Sequence, residues 1–173
     1  MLQVYTIGHS NQPADAFVGA LRGHTIQLVV DVRRFPTSRR HPHFSGPRLS
    51  ATLQAVGIDY LHEPALGGHR TPAPDSANTA WREEAFRGYA DYMGTDAFAQ
   101  AIARLLELAD DRRLAVMCAE RSWRDCHRGL IADYLKVREH EVIHIVSSAE
   151  TERHPYTRPA RLVDGELSYR GLL

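Results

Sequence analysis

The sequence predicts one α/β domain with a mostly parallel five-stranded sheet, helices on both faces and a small C-terminal β-hairpin. β-rich apolar runs alternate with segments of helical periodicity along most of the chain. Two of these runs are apolar throughout, as strands buried on both faces of a parallel sheet are. The length of 173 residues, of which 43% are hydrophobic, suits a single domain with a sizeable core. We therefore expect one domain over 1–173, with a core over 1–147 and a hairpin extension over 148–173.

The first half of the chain predicts three strands and two helices. The first strand is "LQVYTIG", and the helix after it is "ADAFVGALRG". The second strand is the apolar run "IQLVVDVR", followed by the helix "PRLSATLQAVG", which we expect to close at Gly57. The third strand is the short segment "IDYLHEP".

The second half predicts two more core strands and the hairpin. One or two helices are predicted over "AFRGYADYMGTDAFAQAIARLLELADD", with a break near Gly94 and Thr95 as the cap. The fourth strand is "RLAVMCAE", the next helix is "CHRGLIADYLKVR", and the fifth strand is "EVIHIVS". The hairpin is predicted over "ARLVDGELSY", because Asp-Gly separates two short alternating runs.

The composition points to a cytoplasmic protein. No apolar run approaches the roughly 20 residues that span a bilayer, and the start "MLQVYTIGHS" does not resemble a secretory signal. In that reducing compartment Cys118 and Cys126 are not expected to form a structural disulfide, which leaves metal binding, thiol chemistry or packing. The formal net charge of zero argues against a globally basic nucleic-acid binder.

A local basic segment nevertheless favours phosphate binding. The segment "RRFPTSRRHPH" over 33–43 carries four arginines and no acid, in a chain whose single lysine is Lys136. The planar guanidinium suits bidentate contact with phosphate. We expect Arg33 and Arg39 at the surface, where this segment would hold a phosphate; a solvated loop without a ligand is the alternative.

Polar side chains follow four predicted strands in succession. His9 and Ser10 follow the first strand and Asp31 closes the second, while Glu63 follows the third and Glu120 the fourth. Ligands of open α/β sheets bind outside the carboxyl ends of the strands, so these side chains should share one cleft. Alternatively, Asp31 or Glu120 pairs with an arginine and only closes the sheet edge.

The stretch "CAERSWRDCHRGLIADYL" contains both cysteines. Cys126 lies near a predicted helix start, where the helix dipole and the neighbouring His127 and Arg128 favour a thiolate. Cys118 lies within an apolar strand and is expected to be buried and inert. Glu120 would orient His127 or Arg128, or act as a general base through water. The spacing C-x7-C-H does not match an established zinc pattern, so we expect no metal and no cofactor.

Four segments resemble the family known as domain of unknown function 488: "YTIGHSN", "DVRRFPTSRRHPHFS", "YLHEPALGGHR" and "CAE…CHRGLIADYL". The resemblance extends from the first strand to about His144. It implies a compact α/β domain with a site built from the family's motif positions, which are here His9, Ser10, Asp31, Arg33, Ser38, Gly67, Gly68, Cys118, Glu120, Cys126, His127 and Arg128.

The tripeptide Cys-His-Arg also resembles the Pro-Cys-His-Arg site of alkylguanine-DNA alkyltransferases, with Asp125 in place of the proline. Our hypothesis is an enzyme that processes damaged or modified DNA bases, in which Trp123, Phe44 or Tyr60 stacks on a base. A nucleotide or nucleic-acid hydrolase that uses Asp31 and Glu120 is one alternative, and a binding module without turnover is another. The partner would be DNA or a nucleotide and not a membrane, and the oligomeric state stays open.

These arguments define the predicted site. The predicted catalytic residues are Cys126, His127, Arg128, Glu120, Asp31 and His9, and the predicted substrate-binding residues are Ser10, Arg33, Arg34, Ser38, Arg39, Tyr60, Gly67, Gly68 and Cys118.

Overall fold

A computed structural model describes residues 1–172 and contains a central six-stranded sheet. Its strands are β1 (Gln3–Gly8), β2 (Leu28–Asp31), β3 (Asp59–His62), β4 (Leu114–Cys118), β5 (Glu141–Ile145) and β6 (Thr151–Arg153), in the spatial order β3-β2-β4-β1-β5-β6. The first five strands are parallel, as predicted. The sixth, β6, pairs antiparallel with β5 and was not predicted, because its three residues carry no apolar pattern.

Helices cover both faces of the sheet, as predicted. They are α1 (Ala14–Gly23), α2 (Gly46–Gln54), α3 (Glu84–Tyr92), α4 (Asp96–Asp111) and α5 (Arg128–Val137). Phe17 of α1 and Leu53 of α2 belong to one buried hydrophobic cluster, whereas Tyr89, Phe98 and Leu130 of the other three helices belong to a second cluster. The sheet therefore separates two cores. Its central strands β2 and β4 are buried at every position, which explains their continuous apolar sequence.

Local signals at the helix ends agree with the structure. The hydroxyl of Thr95 accepts a hydrogen bond from the backbone N–H of Phe98 at 3.3 Å, so Thr95 caps α4 and separates it from α3. Gly57 takes a φ of +80° in the turn between α2 and β3. His127 is the N-cap residue of α5, and Cys126 directly precedes this cap.

The predicted C-terminal hairpin is present as β7 (Arg161–Val163) and β8 (Glu166–Ser168). Asp164 and Gly165 both have positive φ, as the two central residues of a type I′ turn do. The segment around the hairpin packs into the body of the domain, since His154 and Tyr169 are buried. Over the described residues, no helix is long and apolar enough to cross a membrane.

Candidate functional site

A cleft of about 710 Å³ lies at the carboxyl ends of β1, β2 and β4. The three strands are parallel neighbours, so the residues that follow them meet at one edge of the sheet. Among the predicted site residues, those that line the cleft are His9, Ser10, Arg33, Arg34, Ser38, Arg39, Gly68, Cys118, Glu120, Cys126 and His127. The others, Asp31, Tyr60, Gly67 and Arg128, do not line it. The structure therefore brings most of the predicted site residues to one cleft.

Asp31 is fully buried and forms an ion pair with Arg33 at 2.7 Å. The Asp31 carboxylate also accepts hydrogen bonds from the Arg33 Nε at 2.9 Å, from the Arg33 backbone N–H at 3.0 Å and from the Tyr60 hydroxyl at 2.5 Å. The expectation that Arg33 lies at the surface is wrong: its side chain is 7% exposed. Arg33 folds back because its guanidinium neutralises the carboxylate at the end of β2. The alternative in which Asp31 pairs with an arginine at the sheet edge is thus the observed arrangement.

His9 connects this ion pair to the cleft. Its Nδ1–H donates to the Ser10 carbonyl at 2.8 Å, so its Nε2 faces an Arg33 N–H at 3.4 Å as an acceptor. Burial, helped by the nearby Arg33 charge, lowers the pKa of His9 to about 4. His9 is therefore neutral at physiological pH and packs face to face on Phe44, with ring centres 4.4 Å apart.

The two cysteines meet at the floor of the cleft. The sulfur atoms of Cys118 and Cys126 lie next to each other, with the two Cα atoms 7.5 Å apart, and both residues are buried. A Cα separation above about 7 Å is wider than a disulfide spans without movement of the backbone, so the expectation that these cysteines form no structural disulfide stays a prediction. The loop over 119–127 folds back, held by the His9 and Ser10 backbone N–H groups, which donate to the carbonyls of residues 118 and 119. In either oxidation state the two sulfurs form one site.

A buried arginine contacts this pair from behind. Arg128 is 1% exposed, and its Nε donates to the Cys118 sulfur at 3.0 Å. Its other N–H groups donate to the Thr6 hydroxyl at 3.0 Å and to the backbone carbonyls of Glu120 and Arg121 at 2.8 and 3.1 Å. Burial lowers the pKa of Arg128 to about 10, which leaves it charged at neutral pH. Glu120 thus positions Arg128 through its carbonyl, while its side chain is exposed at the cleft.

His127 lies beside the sulfur of Cys126. Its Nε2–H donates to the Val32 carbonyl at 2.9 Å, and its Nδ1 lies 3.6 Å from the Cys126 sulfur. Burial lowers the pKa of His127 to about 4, so the ring is neutral at pH 7 and its Nδ1 is an acceptor. The Arg128 backbone N–H also donates to the Cys126 sulfur at 3.4 Å. His127 Nδ1 can therefore accept a hydrogen bond from the Cys126 thiol. Because its low pKa makes it a weak base, transfer of the proton depends on the start of α5, which stabilises the charge left on the sulfur.

A hydrogen-bonded chain continues from Arg128 through the interior. The Thr6 hydroxyl bonds to His144 Nδ1, the His144 Nε2 to His154 Nδ1 at 2.8 Å, and the His154 Nε2 to Asp133 at 2.7 Å. Burial lowers the pKa of His144 to about 2, so this ring is neutral and carries one N–H. Arg128 can only donate and the Asp133 carboxylate only accepts, so when each imidazole carries one N–H, every bond in the chain has one direction, from cation to anion.

The outer part of the cleft is basic and carries an exposed aromatic ring. Arg39 and Arg40 are exposed there, whereas Arg34 donates to the His69 carbonyl at 2.7 Å. Phe35 is 64% exposed and lies beneath the Arg34 guanidinium, 5.6 Å from the ring centre. This mouth of the cleft presents positive charge and an apolar face together.

The aromatic residues expected to stack on a base are engaged elsewhere. Trp123 is stacked on His144 with ring centres 4.9 Å apart, and Phe44 is fully buried. Tyr60 is half-buried and its hydroxyl is bound to Asp31. Phe44 and Trp123 are therefore packed inside the protein, and the hydroxyl of Tyr60 is committed to Asp31. Phe35 was missed by sequence reasoning, although its position between arginines in a loop was a usable signal.

Backbone close approaches shape the cleft wall. Gly67 packs against the Arg34 backbone so closely that a Cβ would lie 2.7 Å from the Arg34 Cα. A Cβ on Gly68 would lie 3.1 Å from His127 Nδ1, on the side that faces the cleft. Ser38 holds the arginine loop, because its hydroxyl accepts from the His41 backbone N–H at 3.1 Å. These residues position the lining side chains.

Within residues 1–172, no group of three or more His, Cys, Asp and Glu side chains converges in a way that could hold a metal ion. A family model described as "Domain of unknown function DUF488" matches residues 13–135, which include most of the cleft. No curated protein and no solved structure matches the chain.

Proposed function

The chain belongs to the DUF488 family, and from that premise we propose a cysteine-dependent enzyme that removes a modifying group, such as an alkyl group, from a base of DNA or of a nucleotide. The observation that supports this proposal is the composition of one cleft. It has a cysteine with an adjacent proton acceptor at its floor, and exposed arginines with an aromatic ring at its mouth.

The proposed reaction uses Cys126 in its reduced state. The Cys126 thiol gives its proton to His127 Nδ1, and the sulfur then attacks the alkyl carbon bound to a base oxygen or nitrogen. A carbon–sulfur bond forms as the bond to the base breaks, and the base recovers the proton from His127. The product is a thioether on Cys126 and a repaired base. Because the reaction needs a free thiol, we place the protein in the reducing cytoplasm.

The mouth of the cleft would bind the substrate. Arg39 and Arg40 would contact phosphate, and Phe35 would stack on a base, which is worth about 1–3 kcal/mol in single-stranded nucleic-acid binding. A substrate with both groups, a phosphate and a base, matches the charge and the apolar ring there. The hydrolase alternative gains no support, since the carboxylate of Asp31 is fully committed to Arg33 and Tyr60.

The decisive experiment measures the mass of the protein after reaction. Reduced protein is incubated with single-stranded DNA that carries an alkylated guanine, and with the same DNA unmodified. We expect the alkyl mass on the peptide that contains Cys126, only with the modified DNA, and its loss in Cys126→Ser. No adduct on reduced wild-type protein, or full base repair by Cys126→Ser, would contradict the proposal.

Binding is tested separately from reaction. The double variant Arg39→Ala/Arg40→Ala should weaken DNA binding and reduce the salt dependence by about one unit of slope per lost phosphate contact. The matched control is Arg22→Ala/Arg48→Ala, which removes two exposed arginines of α1 and α2 outside the cleft. An equal effect of both double variants would show that the cleft mouth does not bind phosphate.

A further inference from the structure

Arg128 is a buried cation without a carboxylate among its direct partners. Its N–H groups reach one sulfur, one hydroxyl and two backbone carbonyls, and the Asp133 carboxylate lies at the far end of the chain of hydrogen bonds. A buried charge requires a compensating charge close by. The exposed Glu120 carboxylate acts on Arg128 only through its charge. Cys118 is the one group in direct contact that can become an anion, so the position of Arg128 favours a Cys118 thiolate.

Each sulfur of the pair thus has its own means of losing a proton. Cys118 is stabilised as a thiolate by the Arg128 guanidinium at 3.0 Å. Cys126 faces the neutral His127 Nδ1 at 3.6 Å and the Arg128 backbone N–H at 3.4 Å. An arrangement that stabilises the reduced, ionised form makes the corresponding disulfide easy to reduce and the dithiol reactive toward other disulfides. A pair that served only to cross-link the fold would not need these groups.

The pair is also accessible to a reactant. Both cysteines line the cleft, although most of their surface is buried. Their sulfurs are in contact, so a group attached to one lies within reach of attack by the other. Access, ionisation and mutual contact are the three requirements of dithiol–disulfide exchange.

We propose that Cys118 and Cys126 form a redox-active dithiol that exchanges with small disulfide compounds, an activity independent of any nucleic-acid substrate. The Cys126 sulfur attacks one sulfur of the compound; the disulfide bond of the compound breaks, and its first thiolate leaves with the proton that His127 had received. A mixed disulfide on Cys126 results. The Cys118 thiolate then attacks the Cys126 sulfur, the second thiolate leaves and takes up the proton that Cys118 had released, and the protein disulfide forms. Two protein thiols are oxidised while one disulfide compound is reduced to two thiols.

The test uses the full chain, reduced, freed of reductant and mixed with oxidised glutathione. Samples are quenched with iodoacetamide and their intact masses are measured. The wild-type protein should lose two hydrogens and retain no glutathione. Cys118→Ser should accumulate glutathione on Cys126, and Cys126→Ser should accumulate at least roughly tenfold less, since the remaining Cys118 is the more buried of the two and has no adjacent histidine. A wild-type protein that stays a dithiol, or that stops at the mixed disulfide, would overturn the proposal.

The role of Arg128 has its own variants. Arg128→Lys keeps the charge but removes the Nε donor to the Cys118 sulfur. It should slow the release of glutathione from the mixed disulfide by roughly tenfold, because the fraction of Cys118 present as thiolate falls by about that factor. Arg138→Lys, in an exposed arginine just after the same helix, is the matched control. Thermal melts of both variants establish that they are folded. If folded Arg128→Lys resolves the mixed disulfide as fast as the control does, Arg128 does not stabilise the Cys118 thiolate. Because no DNA is present, failure here leaves the alkyl-transfer experiment unaffected, and the reverse also holds.

Discussion

Replacing Asp133 by alanine and by asparagine separates the charge of this carboxylate from the hydrogen bonds it accepts. Asp133 is fully buried on α5. It accepts from His154 Nε2 at 2.7 Å, from the Thr157 backbone N–H at 2.9 Å, from the Thr157 hydroxyl at 2.5 Å and from the Tyr169 hydroxyl at 2.7 Å. The carboxylate therefore joins the helix to the C-terminal segment.

The two substitutions should differ in cost. Asp133→Ala leaves the His154 Nε2–H and the Thr157 backbone N–H buried without an acceptor, and each such group costs about 1–3 kcal/mol. It also removes the anion at the end of the hydrogen-bonded chain. We expect the free energy of unfolding to fall by about 3–5 kcal/mol. In Asp133→Asn the amide oxygen can accept from both N–H groups, and the two hydroxyls can rotate to accept from the amide nitrogen. What is lost is the strength that charge adds to the four bonds, about 0.5 kcal/mol for each, or about 2 kcal/mol in total.

The assay is urea denaturation at neutral pH, supported by thermal melts. For a chain of this size about 2–4 °C is lost per kcal/mol, so alanine should lower the Tm by roughly 6–20 °C and asparagine by roughly half as much. Tyr169→Phe, which removes one donor to the charged carboxylate, should cost about 1.5–3 kcal/mol and serves as the reference. Equal losses for alanine and asparagine, or an alanine loss below about 1 kcal/mol, would refute this assignment of the interactions.

Three further outcomes follow from the site. Burial lowers the pKa of His9 and of His127 from 6.5 to about 4, so between these pH values the unfolded chain binds more protons than the folded one. The free energy of unfolding should therefore fall as the pH drops from about 6.5 to about 4. In His9→Gln this free energy should fall by a smaller amount, as measured by denaturation at a series of pH values. Tyr60→Phe removes a hydrogen bond to the carboxylate of Asp31 and should cost about 1.5–3 kcal/mol in urea denaturation, and a cost near zero would mean that this bond does not form in solution. Gly8→Ala places a Cβ into a backbone carbonyl of the facing loop, so it should destabilise the protein and alter the near-ultraviolet circular dichroism; a native spectrum and stability would contradict the close approach.

The sheet was predictable because burial on both faces leaves a continuous apolar run, as in β2 and β4. The position of the cleft followed from that, since parallel strands end at one edge. Contacts between side chains were not predictable in the same way. The burial of Arg33 depends on its turning back to a residue two positions earlier, and the contact of Cys118 with Cys126 depends on the path of a loop.

The buried polar chain was missed for a different reason. His144 lies in β5, and His154 directly follows β6. His154 joins His144 to Asp133 of α5, and this contact exists only in the folded protein. One local signal was present: Asp133 stands within the apolar run "GLIADYL", where a carboxylate needs buried partners.

The polar chain behind the cysteines draws on both ends of the polypeptide. Thr6 comes from the first strand, and His154 follows the last strand of the sheet, yet both determine how Arg128 is held against Cys118. During synthesis on the ribosome, the segment that contains both cysteines emerges before His154 does. The set of contacts around Arg128 is consequently complete only when the C-terminal segment has docked.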